Sequence, residues 1–255
     1  MIAPLQRGFL MRVGILLALI AAIPATPLHA QIPDKFTNLK VVPKDISKDE
    51  LIDVMRGFSS ALGVRCGFCH ARKDPSPQSE FDWASDSKPE KETARVMMRM
   101  TRLINTEQIP KITTKDSDRV EVKCATCHHG QERPWQIEDV LTRAFKEGGV
   151  DSLESKYTAL RKECYGSAIY NFSEQMLPAL GERLGGRANP DVAVRLARFN
   201  LELFPESGYA HFALGQALAT VGQKDAAAQE LNKAVDLDPS LKRDAQRAVE
   251  QLETK

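Results

Sequence analysis

The chain has 255 residues, of which 42% are hydrophobic and 27% charged, with 35 basic side chains against 34 acidic ones. That length and composition suit a soluble protein of two domains. A balance this even gives no support for binding nucleic acid or anionic lipid, both of which call for a basic excess.

At the N-terminus Arg7 and Arg12 precede the apolar run Val13 to Ile23, followed by Pro24, Pro27 and the small Ala30 before Gln31. Basic, apolar and cleavage regions in that order predict a secretory signal peptide over residues 1–30, cleaved near Ala30, and a periplasmic mature protein. The run is well short of the ~20 residues a membrane span needs, although an uncleaved anchor is the competing reading. No Cys follows the cleavage region, which argues against a lipoprotein, and no later stretch is apolar enough to span a bilayer. Without Arg7 and Arg12 the mature chain carries 33 basic and 34 acidic side chains.

Residues 31–45, with Pro33 and Pro43, read as an extended lead-in. Ser47-x-x-Glu50 is a capping-box pattern that starts a helix. Leu51, Val54, Met55, Phe58, Ala61 and Leu62 follow at helical spacing, and Gly63 is placed to end it. Just beyond comes Cys66-Gly67-Phe68-Cys69-His70. A polar, proline-containing loop over 71–89 leads to a second helix from about Glu90 to Thr106, which holds Met97, Met98 and Met100. After Pro110 a polar turn (Thr113 to Asp118) and a short strand (Val120 to Val122) are expected, then Cys124-Ala125-Thr126-Cys127-His128. Helix, turn, C-x-x-C-H thus occurs twice, and residues 46–130 read as one unit duplicated.

C-x-x-C-H is the attachment signature of a c-type haem. Two thiols three residues apart on one helical turn can both add to the vinyl groups at one haem edge. The adjacent His then lies under the ring, where its imidazole can bind iron. The motif predicts two covalently bound haem c groups, one on Cys66 and Cys69 with His70 as ligand, the other on Cys124 and Cys127 with His128. Export agrees with this, because haem c is attached outside the energised membrane. The fifth cysteine, Cys164, reads as buried in a helix.

From Ile137 the sequence becomes continuous helix former, and Pro205 and Pro239 stand 34 residues apart. Aligning them pairs Leu180-Gly181 with Leu214-Gly215, Leu184 with Leu218 and Ala193 with Ala227. The second copy follows the tetratricopeptide pattern; the first departs from it at Ala197 and Asn200. We expect repeats at about 174–207 and 208–241, capped by helices within 137–165 and 242–252, because helix pairs of this kind need neighbours to bury their faces.

A low-spin haem needs a sixth ligand. His29 leaves with the signal peptide, His129 is held on the same turn as His128, and His211 lies in the repeats, so bis-His ligation at both sites is not expected, one such haem being the residual alternative. Methionine is the other usual choice. Met55 is the candidate before Cys66, while Met97 and Met100 share a helical face before Cys124, and spacing does not choose between them.

Residues 35–135 resemble the tetrahaem cytochrome subunit of photosynthetic reaction centres. The resemblance rests on Met55 eleven residues before Cys66, on the run Ala94-Arg95-Val96-Met97-Met98-Arg99-Met100-Thr101-Arg102-Leu103-Ile104-Asn105, and on Cys124-x-x-Cys127-His128-x-Gly130. It implies that Met97 is the second axial methionine and that Met98 and Met100 pack. Two attachment motifs cover half the family's haem array, and His129 stands where the family usually has Arg.

The expected fold is mainly α: a multihaem cytochrome domain with little regular β over 31–136, then an α-helical, tetratricopeptide-like domain over 137–255. The expected function is a non-enzymatic electron carrier with two His/Met-ligated haems, whose redox partner proteins dock through the repeats. The competing readings are a peroxidase-like enzyme with one open iron, a partner-docking scaffold, and a dithiol or zinc protein. The 54 residues between the two Cys pairs exceed zinc-ribbon spacing.

Overall fold

The computed structural model of the chain describes residues 32–112, 115 and 119–253. The expected signal peptide and most of the polar turn at 113–118 lie outside the described residues. The protein is mainly helical, and the one sheet among the described residues is a two-stranded ribbon.

Helix α1 (Lys48–Leu62) begins with the capping box read from the sequence. The Ser47 hydroxyl accepts from the Glu50 backbone N–H while the Glu50 carboxylate accepts from the Ser47 N–H at 3.0 Å. Gly63, in the left-handed region at φ 67°, ends it. A 3-10 turn (Cys66–Phe68) and two short antiparallel strands, β1 (Ala71–Arg72) and β2 (Phe81–Asp82), follow within the segment expected to be loop.

Helix α2 (Pro89–Leu103) does not give way to loop after Thr106, the expected end of the second helix. It runs through a π-helical turn (Ile104–Gln108) into the short α3 (Ile109–Ile112), which contains Pro110. Pro110 lies just after the π-helical turn, whose shifted register accompanies its place in a continuous helical run. The expected strand at Val120–Val122 does not form; that stretch is extended but pairs with a side chain, as described below. Helix α4 (Cys124–His128) is the second C-x-x-C-H itself.

The remainder is a succession of packed helices: α5 (Ile137–Cys164), α6 (Met176–Gly185), α7 (Asp191–Leu203), α8 (Gly208–Thr220), α9 (Lys224–Leu237) and α10 (Lys242–Glu253). Helix α5 is broken at Gly148 and Gly149, whose backbone angles are non-helical. One apolar cluster joins α5, α6 and α7 around the fully buried Tyr157, whose ring meets Phe172 and Phe199 edge-on. A second cluster joins α7 to α10 around Leu214, Leu218 and Leu231.

Gly181 and Gly215 occupy matching places in the α6/α7 and α8/α9 hairpins. A Cβ on Gly181 would come within 3.1 Å of the Ala193 Cα, and one on Gly215 within 2.8 Å of Leu231. Asn200, which departs from the repeat pattern, is fully buried and donates its amide to the Glu174 carbonyl at 2.9 Å, tying α7 to the entry of α6. Cys164 is buried at the end of α5, and burial pushes its thiol up, as befits a packing residue.

Candidate haem-binding site

The two attachment motifs take different backbone forms. In the first, Gly63 reverses the chain and the 3-10 turn closes with the Cys69 and His70 amides donating to the Cys66 carbonyl at 3.3 and 3.0 Å. Lys88, immediately before α2, donates to the Gly67 and Phe68 carbonyls at 2.5 and 3.1 Å and so holds this turn from outside. Lys91, one turn on, donates to the Trp83 and Ser85 carbonyls at 2.8 and 2.7 Å.

The His70 ring lies edge-on to Trp83, with centroids 4.9 Å apart, and Trp83 in turn meets Phe81 at 4.8 Å. Burial, helped by the Lys91 cation, pushes the imidazole pKa down to about 4 against a small opposing effect of the Trp83 backbone. The ring is therefore neutral at physiological pH, the form that ligates iron. Its Nδ1 is buried and has no partner in hydrogen-bond geometry.

The second motif is a true α-helical turn. The Asn105 side chain, in the π-helical turn, donates to the Val122 carbonyl and accepts from the Val122 N–H, both at 2.8 Å, which fixes the approach to Cys124. The Lys123 N–H then donates to the Thr126 hydroxyl at 2.9 Å. His129 ends the helix at φ 48°, the one non-glycine residue with positive φ among the described residues. His128 Nδ1 lies 2.8 Å from the Gln131 carbonyl. Because a carbonyl only accepts, Nδ1 carries the proton and Nε2 keeps its lone pair free for a metal.

The two turns meet. The Gly130 N–H donates to the Ala61 carbonyl at 2.9 Å, so the last turn of α1, which leads into the first motif, packs on the segment leaving the second. A Cβ on Gly63 would lie 2.1 Å from the Gly130 carbonyl oxygen, so this contact and the positive φ both require glycine.

Helix α2 bridges the pair. Beside Lys88 and Lys91, it contributes Arg95, 6% exposed, which pairs with Asp86 at 2.8 Å and Glu92 at 2.9 Å. Arg102 reaches the Val41 carbonyl at 3.3 Å, and Thr101 caps back onto the Met97 carbonyl at 2.9 Å. Val96, Met97, Met100 and Leu103 form an exposed apolar stripe, with Met97 40% and Met100 47% exposed, while Met98 is half-buried. Met55 is half-buried on α1.

The side chains fit covalent haem. All four motif thiols are free of disulfides, and burial raises those of Cys69 and Cys124, favouring the neutral thiol. Apolar stripe, neutral His70 and tautomer-fixed His128 complete a donor set suited to a porphyrin and its iron. Among the described residues, no three His, Cys, Asp or Glu side chains gather as a cation cluster.

Sequence reasoning named the thiols, histidines and methionines but missed Lys88, Lys91, Asn105 and Gln131, which hold the turns. Asn105 and Arg95 did stand within the run that carried the family resemblance, which was the available signal.

A mainly helical chain with two C-x-x-C-H turns of this form has the features of a c-type cytochrome. Residues 34–147 match the model of the family described as photosynthetic reaction centre cytochrome C subunit, so this part of the chain is similar to that family. The match ends one residue before the Gly148 break in α5. Cytochrome c-554 of Chloroflexus aurantiacus is 38% identical over 71 residues, which is 28% of this chain and 15% of that protein. No solved structure matches the chain significantly.

Proposed function

We propose that the protein is a periplasmic dihaem cytochrome carrying electrons between redox partner proteins. Cys66 and Cys69 hold one haem and Cys124 and Cys127 the other. His70 and Met55 ligate the first iron; His128 and Met97 ligate the second. Bound haem supplies the one-electron chemistry, and the protein supplies attachment, ligands and a sheltered pocket.

The observation that carries this reading is the recurrence of the attachment turn, each copy presenting a histidine fit to ligate. His128 is held in the right tautomer by the Gln131 carbonyl, and His70 is kept neutral by burial. The half-buried Met98 is turned away from the apolar stripe that holds Met97 and Met100. The choice of Met97 over Met100 follows the family run. The contact between Gly130 and Ala61 supports placing the haems close together. Among the described residues no helix is long and apolar enough to cross a membrane, in keeping with an exported carrier.

Residues 31–136 would form the cytochrome domain and 137–255 a tetratricopeptide-like domain on which a redox partner docks. The matching hairpins with Gly181 and Gly215 at their closest approaches support that reading of the helices.

The test is to produce the full chain with a haem-maturation system, count haem by pyridine haemochrome and titrate it by optical redox potentiometry. Two haems per chain and a methionine-to-ferric-iron charge-transfer band are expected. Met55→Ala and Met97→Ala should each remove half of that band. A chain with no covalent haem would overturn the reading, and loss of the band in Met100→Ala but not Met97→Ala would reassign the second ligand.

A further inference from the structure

The Gln131 carbonyl that orients His128 belongs to a residue whose side chain is held from elsewhere. Tyr170 Oη donates to Gln131 Oε1 at 3.0 Å, and Gln131 Nε2 donates to the Ile169 carbonyl at 3.5 Å, the long limit of such a bond. Both partners lie 38 and 39 residues further along the chain, in the segment between α5 and α6. Tyr170 is itself anchored: its ring meets Phe172 edge-on at 6.2 Å, and Phe172 packs on the fully buried Tyr157 in the first helical cluster. A continuous set of contacts therefore runs from the core of the helical region, through Tyr170 and Gln131, to the ring of His128.

His70 has no counterpart. Its Nδ1 lacks a hydrogen-bond partner, and the residues around it, Trp83, Phe81 and Lys91, all come from the cytochrome part of the chain.

We propose that Tyr170 and Gln131 are positioning residues for the second haem site, through which the helical region sets the reduction potential of that haem and leaves the first one alone. The inference rests on the dihaem reading above. A hydrogen bond from Nδ1 to a carbonyl makes the imidazole a stronger donor and favours ferric iron, lowering the potential. A carbonyl free to swing away gives a weaker bond and a higher potential. Reduction adds one electron, delivered by a redox partner protein, and makes or breaks no bond to the protein. The helical region is thereby a tuning element for a site it does not line.

The experiment compares the midpoints of the haem-loaded full chain with those of Tyr170→Phe and Gln131→Ala. One midpoint of two should rise in each variant, by up to about tenfold in that haem's reduction equilibrium, roughly 59 mV for one electron. The other midpoint, which Met55→His should lower independently, should stay fixed and serves as an internal reference. In the ferric protein, the hyperfine-shifted Nδ1–H signal of His128 should exchange faster with solvent in both variants.

Gln131→Glu, which keeps an acceptor for Tyr170, should restore the wild-type exchange rate more fully than Gln131→Ala does. Two loaded haems with both midpoints and the exchange rate unmoved in Tyr170→Phe would overturn the inference while leaving the dihaem reading intact. Movement of the midpoint that Met55→His lowers would also overturn it. A wild-type chain with fewer than two haems would instead defeat the reading on which the inference rests.

Discussion

The two regions of the molecule are held together in opposite ways. Between residues 137 and 252 the helices bury two large apolar clusters, with Leu141, Leu153, Leu177, Leu180, Leu196 and Leu231 essentially inaccessible. Between residues 32 and 136 the described buried side chains are Leu51, Ala61 and Arg95. Order there comes from specific polar ties: Lys88 on the first turn, Asn105 on the approach to the second, Arg95 on Asp86. Four of its apolar side chains, Val96, Met97, Met100 and Leu103, are exposed along α2. The helical region is folded by its own side chains, whereas on the proposed function the N-terminal region is a frame whose core would be its cofactor.

The sharpest way to break that contrast is to deny the cytochrome region its haem. With Cys66, Cys69, Cys124 and Cys127 all replaced by Ala, limited proteolysis should cut freely within residues 46–130 and spare a fragment covering 137–252. Equal protection of both regions would show that the frame stands unaided. Next, Leu231→Ala should cost about 3 kcal/mol in the helical region, by creating a cavity, and leave the haem spectrum unchanged. Chemical denaturation followed by far-ultraviolet circular dichroism and by haem absorbance separates the two.

Gly63→Ala should cost about 2 kcal/mol in the cytochrome region alone, because it forces a side chain into the left-handed region and against the Gly130 carbonyl. The haem-detected transition should move and the helical one stay.

A smaller effect is expected in acid. Hydrogen bonds from Arg95, Lys40 and Asn38 hold the Asp86 carboxyl well below its usual value of 3.8. A depressed carboxylate contributes stability that is complete above the unfolded value and disappears as pH falls through the folded one. The cytochrome region should thus weaken below about pH 4, and Asp86→Asn should lower its neutral stability and flatten that acid dependence. Smallest of all, His129→Gly should stabilise the second turn by about 0.5–1 kcal/mol through relief of the left-handed strain.

The contrast also explains what could be read from the sequence. Periodic and local features were legible: the Ser47/Glu50 box, the Gly63 stop, both C-x-x-C-H turns, and the Leu-Gly pairs at 180–181 and 214–215. The helical region is made of such features, so its hairpins could be placed closely. The ties that shape the cytochrome region join residues far apart, Asn105 to Val122, Lys88 to Gly67, Ala61 to Gly130, and each rests on one polar group with no periodic trace. The path of the chain through Pro110 was also illegible, because proline rules describe regular helices and the π-helical turn before it shifts the register.

The bond from Gly130 to Ala61 bears on how such a protein could have arisen. A helix leaves its last carbonyls unanswered, and α1 has one of them answered 69 residues later by the exit from the other attachment turn. Whatever the ancestral unit looked like, the present copies are no longer beads on a string. Cutting away the second turn would leave that carbonyl of α1 bare, so the segment around the first turn depends on the second for its own helix end.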